Sequence, residues 1–221
     1  MPLTNTEMTV LLFGDRKSPR SLAARPTVVI EGLGTLNDAL EQVLPGARRV
    51  AVVGSDADLA AVLTRLMRVD RLDVEVAHVR GFRGARRAGT AAARRVPLIR
   101  DDTGTVLVGA ALWLPPEGST AISGEAVADD AVLFDGTANG VRIEPTAAMP
   151  GLRATVLGAT VLGATALGAA VLGGRPRKWH TARAVQLGTT GARVVRDGVP
   201  GRREVRRSTF YRHTTGWLRV G

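Results

Sequence analysis

Residues 49–66 read RVAVVGSDADLAAVLTRL. The run from Val50 to Val53 is apolar and rich in β-branched side chains, which suits a buried strand. Leu59, Val62, Leu63 and Leu66 then recur at the three- and four-residue spacing of one helix face, with Arg65 and Arg68 on the other side. Between strand and helix stand Gly54, Ser55, Asp56, Ala57 and Asp58. A strand that turns here into a helix aims backbone N–H groups and the positive end of the helix dipole at one point, where a phosphate can sit. The ordinary alternative is a strand–turn–helix in which Asp56 or Asp58 is simply the N-cap.

The flanks repeat the pattern. TEMTVLLFGD (6–15) and TVVIEG (27–32) read as strands, and RKSPRSLAARP (16–26) as the loop between them. TLNDALEQVLPG (35–46) reads as a helix that Thr35 can cap and that Pro45-Gly46 stops. After the second helix, LDVEVAHV (72–79) is a fourth strand. Strands and helices alternating at this spacing predict a mostly parallel sheet and an α/β domain over residues 1–80.

At Arg80 the pattern breaks. RGFRGARRAGTAAARR (80–95) is dense in Gly, Ala and Arg without a clean period, and residues 81–95 read as an Arg-rich linker or loop. Residues 96–221 then carry short strands with turn punctuation, including a hairpin around Asp101-Asp102-Thr103-Gly104, and predict a β-rich domain.

The chain has 221 residues and no cysteine, which removes disulfides, thiolate metal sites and cysteine nucleophiles together. Its apolar run near the N-terminus is too short for a signal-peptide core, so the expectation is a cytoplasmic protein. The formal charge is +10, and it is unevenly spread. Residues 80–100 hold 7 Arg and no acid, residues 101–152 hold 8 acidic side chains against 1 basic, and residues 153–221 hold 13 basic against 2 acidic. The acidic middle and the basic tail are expected to neutralise each other within one folded unit.

Motifs exclude several chemistries. His78, His180 and His213 are far apart and form no H-E-x-x-H, so neither a zinc hydrolase nor a structural metal is expected. There is no Walker A loop and no G-x-S-x-G elbow. GEAVADDAVLFDG (124–136) carries Glu125, Asp129, Asp130 and Asp135, which can serve as a Mg²⁺ ligand set, as a general base, or as plain turn carboxylates. Arg83, Arg86 and Arg87 offer guanidinium forks to a phosphate or an anionic surface. Aromatic content is only 4%, with Phe82 alone inside the arginine run, so no stacking platform for nucleic acid is visible.

Ala154–Gly174 is a separate puzzle: ATVLGATVLGATALGAAVLGG, four near-identical five-residue units and a glycine, without charge. Its length suffices for a membrane helix. A five-residue period gives neither a helix nor a strand a consistent apolar face, however. A crossing would also strand the last 47 residues away from the acidic strands that they complement. The favoured reading is a tandem expansion within a surface hairpin or loop, ahead of a membrane span and a pentapeptide-type coil.

At this point the chain resembles the diacylglycerol kinase and lipid kinase family, which shares its fold with NAD kinases. Their signature is a Gly-Gly-Asp-Gly-Thr turn between a strand and a helix. Gly54, Ser55, Asp56, Ala57 and Asp58 stand in those five places, so two of the three glycines and the threonine are replaced. Glu31–Asp38 (EGLGTLND) is a second register; the first leaves a fuller N-terminal half and a strand of proper length. The resemblance implies a fold of class α/β plus β, an N-terminal α/β nucleotide-binding-like domain followed by a β-sandwich-like domain. It implies Mg–ATP held by Gly54, Ser55 and Asp56, phosphate contacts from Arg83, Arg86 and Arg87, and Glu125 or Asp130 as the base that deprotonates a lipid hydroxyl. Three functions follow as candidates: an ATP-dependent lipid kinase, a non-catalytic descendant that binds an anionic lipid, a membrane surface or a protein, and, with least support, a nucleic-acid binder.

Overall fold

The computed structural model describes residues 8–158 and 178–221. They form two compact units, residues 1–96 with 215–221, and residues 97–214. The architecture is an α/β unit plus a β-sandwich-like unit, as the sequence implies.

The first unit runs β1 (Met8–Phe13), a 3-10 turn (Arg20–Leu22), β2 (Thr27–Ile30), α1 (Leu33–Val43), β3 (Arg49–Val53), α2 (Asp56–Arg68), β4 (Glu75–His78), α3 (Gly81–Thr90) and β5 (Ala93–Val96). The C-terminal strand Trp217–Val220 joins the same sheet, whose order is β2-β1-β3-β4-(Trp217–Val220)-β5. Neighbours are parallel except β5, which runs antiparallel to the C-terminal strand. Every residue of β3 is buried, as befits a strand covered on both faces. Met8, Val10, Leu12, Ala51, Val53 and Ala77 share one core with Leu22, Ala85 and Ala88. Leu11, Val50, Val52 and Val76, out of phase by one residue, are buried on the opposite face.

Two expectations are corrected here. Residues 81–95 are not a linker: they form α3 and β5. Ala85 and Ala88, three residues apart, bury the inner side of α3. The buried Arg49 guanidinium donates to Ala88 O at 2.7 Å and to Ala91 O at 3.0 Å, satisfying carbonyls at the helix end. The same guanidinium is paired with Glu75. Nor do residues 215–221 belong to the β-rich unit. They complete the sheet of the first, where Gly216 is required because a Cβ there would lie 2.3 Å from Val96 O.

The second unit contains β6 (Ile99–Asp101), β7 (Val106–Leu107), β8 (Ala111–Leu114), β9 (Ile122–Ala128), β10 (Ala131–Ala138), β11 (Val141–Pro145), β12 (Leu152–Val156), β13 (His180–Ala182), β14 (Ala184–Arg196), β15 (Val199–Pro200) and β16 (Val205–Arg212), so that the C-terminal strand is β17. The expected hairpin exists: β6 pairs antiparallel with β7, and the Asp101 carboxylate accepts from Thr103 N–H and Thr105 N–H. The long β14 pairs with β9 and β16 through its first half and with β8 and β15 through its second. Trp113 and Phe210 sit at the centre of the core, and Trp113 Nε1–H donates to Ser208 Oγ at 3.0 Å. Acidic middle and basic tail do meet in this unit: Asp101 pairs with Arg196 and Glu144 with Arg153.

The repeat begins inside β12, and most of it, 159–174, lies outside the described residues. Its two flanks are informative. β12 and β13 are antiparallel neighbours, with Ala154 opposite His180. The segment between them therefore leaves and rejoins one sheet edge at adjacent positions. A single crossing would instead separate its ends by about 30 Å of hydrocarbon. Among the described residues no helix is long and apolar enough to cross a membrane.

Candidate functional site

In the first unit β1 leads to β2 on one side, and β2 leads through α1 to β3 on the other. The strand order thus reverses between β1 and β3. Open α/β sheets bind ligands outside the carboxyl ends of strands at such a reversal. The turn Gly54–Asp58 leaves the carboxyl end of β3 at this place. Glu31–Asp38, the alternative register, follows the edge strand β2 instead.

The turn is closed by its own side chains. Ser55, not Asp56 or Asp58, is the N-cap of α2, because its extended backbone lets Oγ accept from Asp58 N–H at 3.2 Å. Asp58 Oδ2 in return accepts from Ser55 N–H at 2.7 Å and from Ser55 Oγ at 2.8 Å. This reciprocal pair is a capping box with aspartate in the role usual for glutamate. Gly54 makes it fit: a Cβ at that position would meet Asp58 Cβ at 2.7 Å and Oδ2 at 2.8 Å. Glycine here admits a neighbouring carboxylate.

Three further side chains gather at the turn. His78, at the end of β4, donates from Nε2 to Gly54 O at 3.1 Å, and its Nδ1 lies 3.7 Å from Asp56 Oδ1. Arg80 forms an ion pair with Asp56. Arg16, just past β1, places Nη1 3.7 Å from Asp58 Oδ2 and donates to Phe13 O. Sequence reading missed His78 and Arg16 and took Arg80 only as one of the arginines of 80–100, although parallel strands in register end at one edge, and His78 stands opposite Val52 in the β3–β4 ladder.

Fit to Mg–ATP can be judged from this donor set. A phosphate at a helix N-terminus needs free N–H groups and a positive field. Here Ser55 N–H and Asp58 N–H are engaged within the turn, and the Asp58 carboxylate adds a negative charge against them. The residues present do not fit a nucleotide phosphate at this turn.

Arg83, Arg86 and Arg87 lie on the exposed side of α3. Glu125 and Asp130 belong to the second unit, and the Gly54 turn belongs to the first. Asp129 and Asp130 form the two-residue turn of the β9–β10 hairpin. Asp129, at φ 47°, accepts from Arg183 N–H and Ala184 N–H, while Asp130 is exposed. Glu125 stands directly opposite Asp135 on an exposed face. No group of three His, Cys, Asp or Glu able to hold a metal occurs among the described residues.

Two units, their topology and the reversal at β1 and β3 define the fold that diacylglycerol kinases and NAD kinases share. The crystal structure of a diacylglycerol kinase from Bacillus anthracis str. Sterne superposes with a TM-score of 0.70 at 10% identity, covering 97% of this chain and 96% of that one. The structure of an NAD kinase from Archaeoglobus fulgidus in complex with ATP superposes with a TM-score of 0.58 at 10% identity, covering 97% and 93%. No family profile and no curated protein sequence matches this chain. At such identity the likeness is one of fold.

Proposed function

We propose that this protein is a diacylglycerol kinase-like scaffold that has given up phosphoryl transfer and is retained to bind an anionic lipid. The observation that carries this reading is the Asp58 carboxylate on Ser55 N–H. A helix N-terminus that attracts phosphate is already neutralised from within. Reopening it means displacing a charge-assisted hydrogen bond, which stabilises by about 1.5–3 kcal/mol.

The second reading is a working ATP-dependent lipid kinase. It is favoured by the position of Asp56 beside the strand-order reversal, where Mg–ATP would meet Gly54, Ser55 and Asp56, with Glu125 or Asp130 as base. Calorimetric titration with Mg–ATP separates the two. The native chain is expected not to bind at millimolar nucleotide. Micromolar binding abolished by Asp56→Ala would overturn the proposal in favour of the kinase. Asp58→Asn, which removes the internal charge, is expected to raise the affinity of the turn for inorganic phosphate about tenfold.

A further inference from the structure

We infer that the outer side of α3 is a docking surface for an anionic bilayer. This rests on the lipid-binding reading above and assigns that binding to particular residues.

Six arginines of the first unit are neutralised. Arg16, Arg48, Arg49, Arg65, Arg71 and Arg80 each reach a carboxylate. Arg83, Arg86 and Arg87 are different. They are exposed and form no ion pair or side-chain hydrogen bond with another described residue. Spaced by three and four residues on one helix, they repel one another. A coding bias towards arginine explains Arg in place of Lys, yet not the lack of any carboxylate between residues 80 and 100.

The helix is also a poor one by itself. Gly81, Gly84 and Gly89 fall within its ten residues, and glycine is among the weakest helix formers. Such a helix, held by Arg49 at its end and charged along its outer side, gains stability from an external polyanion. A plane of lipid phosphates supplies it: α3 is about 15 Å long, and its guanidinium forks reach outward to phosphate oxygens. Nucleic acid is the poorer match, since aromatic residues make up only 4% of the chain.

The test is co-sedimentation of the full chain with vesicles of phosphatidylcholine, alone and mixed with phosphatidylglycerol. Binding is expected only to the mixed vesicles and is expected to fall steeply with added salt. Replacing Arg83, Arg86 and Arg87 together by Gln should weaken it roughly a hundredfold, each charge counting about fivefold near the surface. A matched variant, with Arg202, Arg203 and Arg207 of the second unit changed to Gln, loses the same charge and should bind nearly as the native chain does. Circular dichroism of both variants establishes that they are folded. Native protein indifferent to phosphatidylglycerol, equal losses in both variants, or tighter binding to a short DNA duplex than to vesicles would each overturn the inference. Because nucleotide titration reads the Gly54 turn and sedimentation reads α3, failure of one reading is distinguishable from failure of the other.

Discussion

At the scale of a single residue, Asp58 closes the Gly54 turn on itself. In sequence it is a threonine replaced by an acid; in the fold it is the anion that its own helix N-terminus binds. Glu144 shows the same economy in the second unit. Burial pushes its pKa up, but hydrogen bonds and charge from Arg142 and Arg153 outweigh burial and leave it below the ordinary carboxylate value. A depressed pKa stabilises the fold above the unfolded value, about 4.3 for glutamate, and the gain is lost as pH falls through the folded value. Glu144→Gln should therefore lower stability by about 1–2 kcal/mol at neutral pH. Melting temperatures of the two proteins should converge as pH drops below about 4; a gap that persists in acid would mean that packing, not charge, is at stake. The turn Gly54–Asp58 was legible because strand, turn and helix adjoin in the chain. His78, Arg80 and Arg16 were not, because parallel pairing of distant strands assembles them.

At the scale of elements, α1, α2 and the first four strands follow from periodicity, with their caps misplaced by a few residues. Thr35 was expected to cap α1; it lies in the first turn, and its Oγ accepts from Gly32 N–H at 2.9 Å. α3 defied the reading because its apolar stripe is only two alanines wide and six of its ten residues are Arg or Gly. Its helicity is imposed by the sheet face beneath it and by Arg49, a side chain 39 residues distant from the carbonyl it holds. Most of the pentad repeat lies outside the described residues, but the strands on either side of it pair antiparallel. Replacing residues 158–177 by Asn-Gly should thus leave the fold intact. It should also raise stability slightly, since each halving of a loop saves about 0.6 kcal/mol of closure entropy. A urea titration that finds the shortened chain unfolded would show instead that the insert is part of the structure.

On the scale of the whole molecule, composition misleads least when it is divided. The net charge of +10 conceals an acidic segment and a basic tail that pair within one unit, at Asp101–Arg196 and Glu144–Arg153, and a short arginine block left unneutralised in the other. Fold class was legible, whereas the path of the last strand was not. Nothing in WLRV distinguishes a β-sandwich strand from one that slots between β4 and β5. Deleting residues 215–221 should expose the facing edges of both strands and unfold the first unit. Limited proteolysis should then consume residues 8–96 while 97–214 persist as a resistant core; equal resistance of both would refute this. The arrangement also sets an order of events on the ribosome. The first sheet lacks an interior strand until residues 217–220 are made, so it waits for the whole of the second unit. At about 5–20 residues per second the delay is on the order of ten seconds. Nascent β4 and β5 spend that interval with open edges, which makes this the protein's most exposed moment to chaperones and to misassembly.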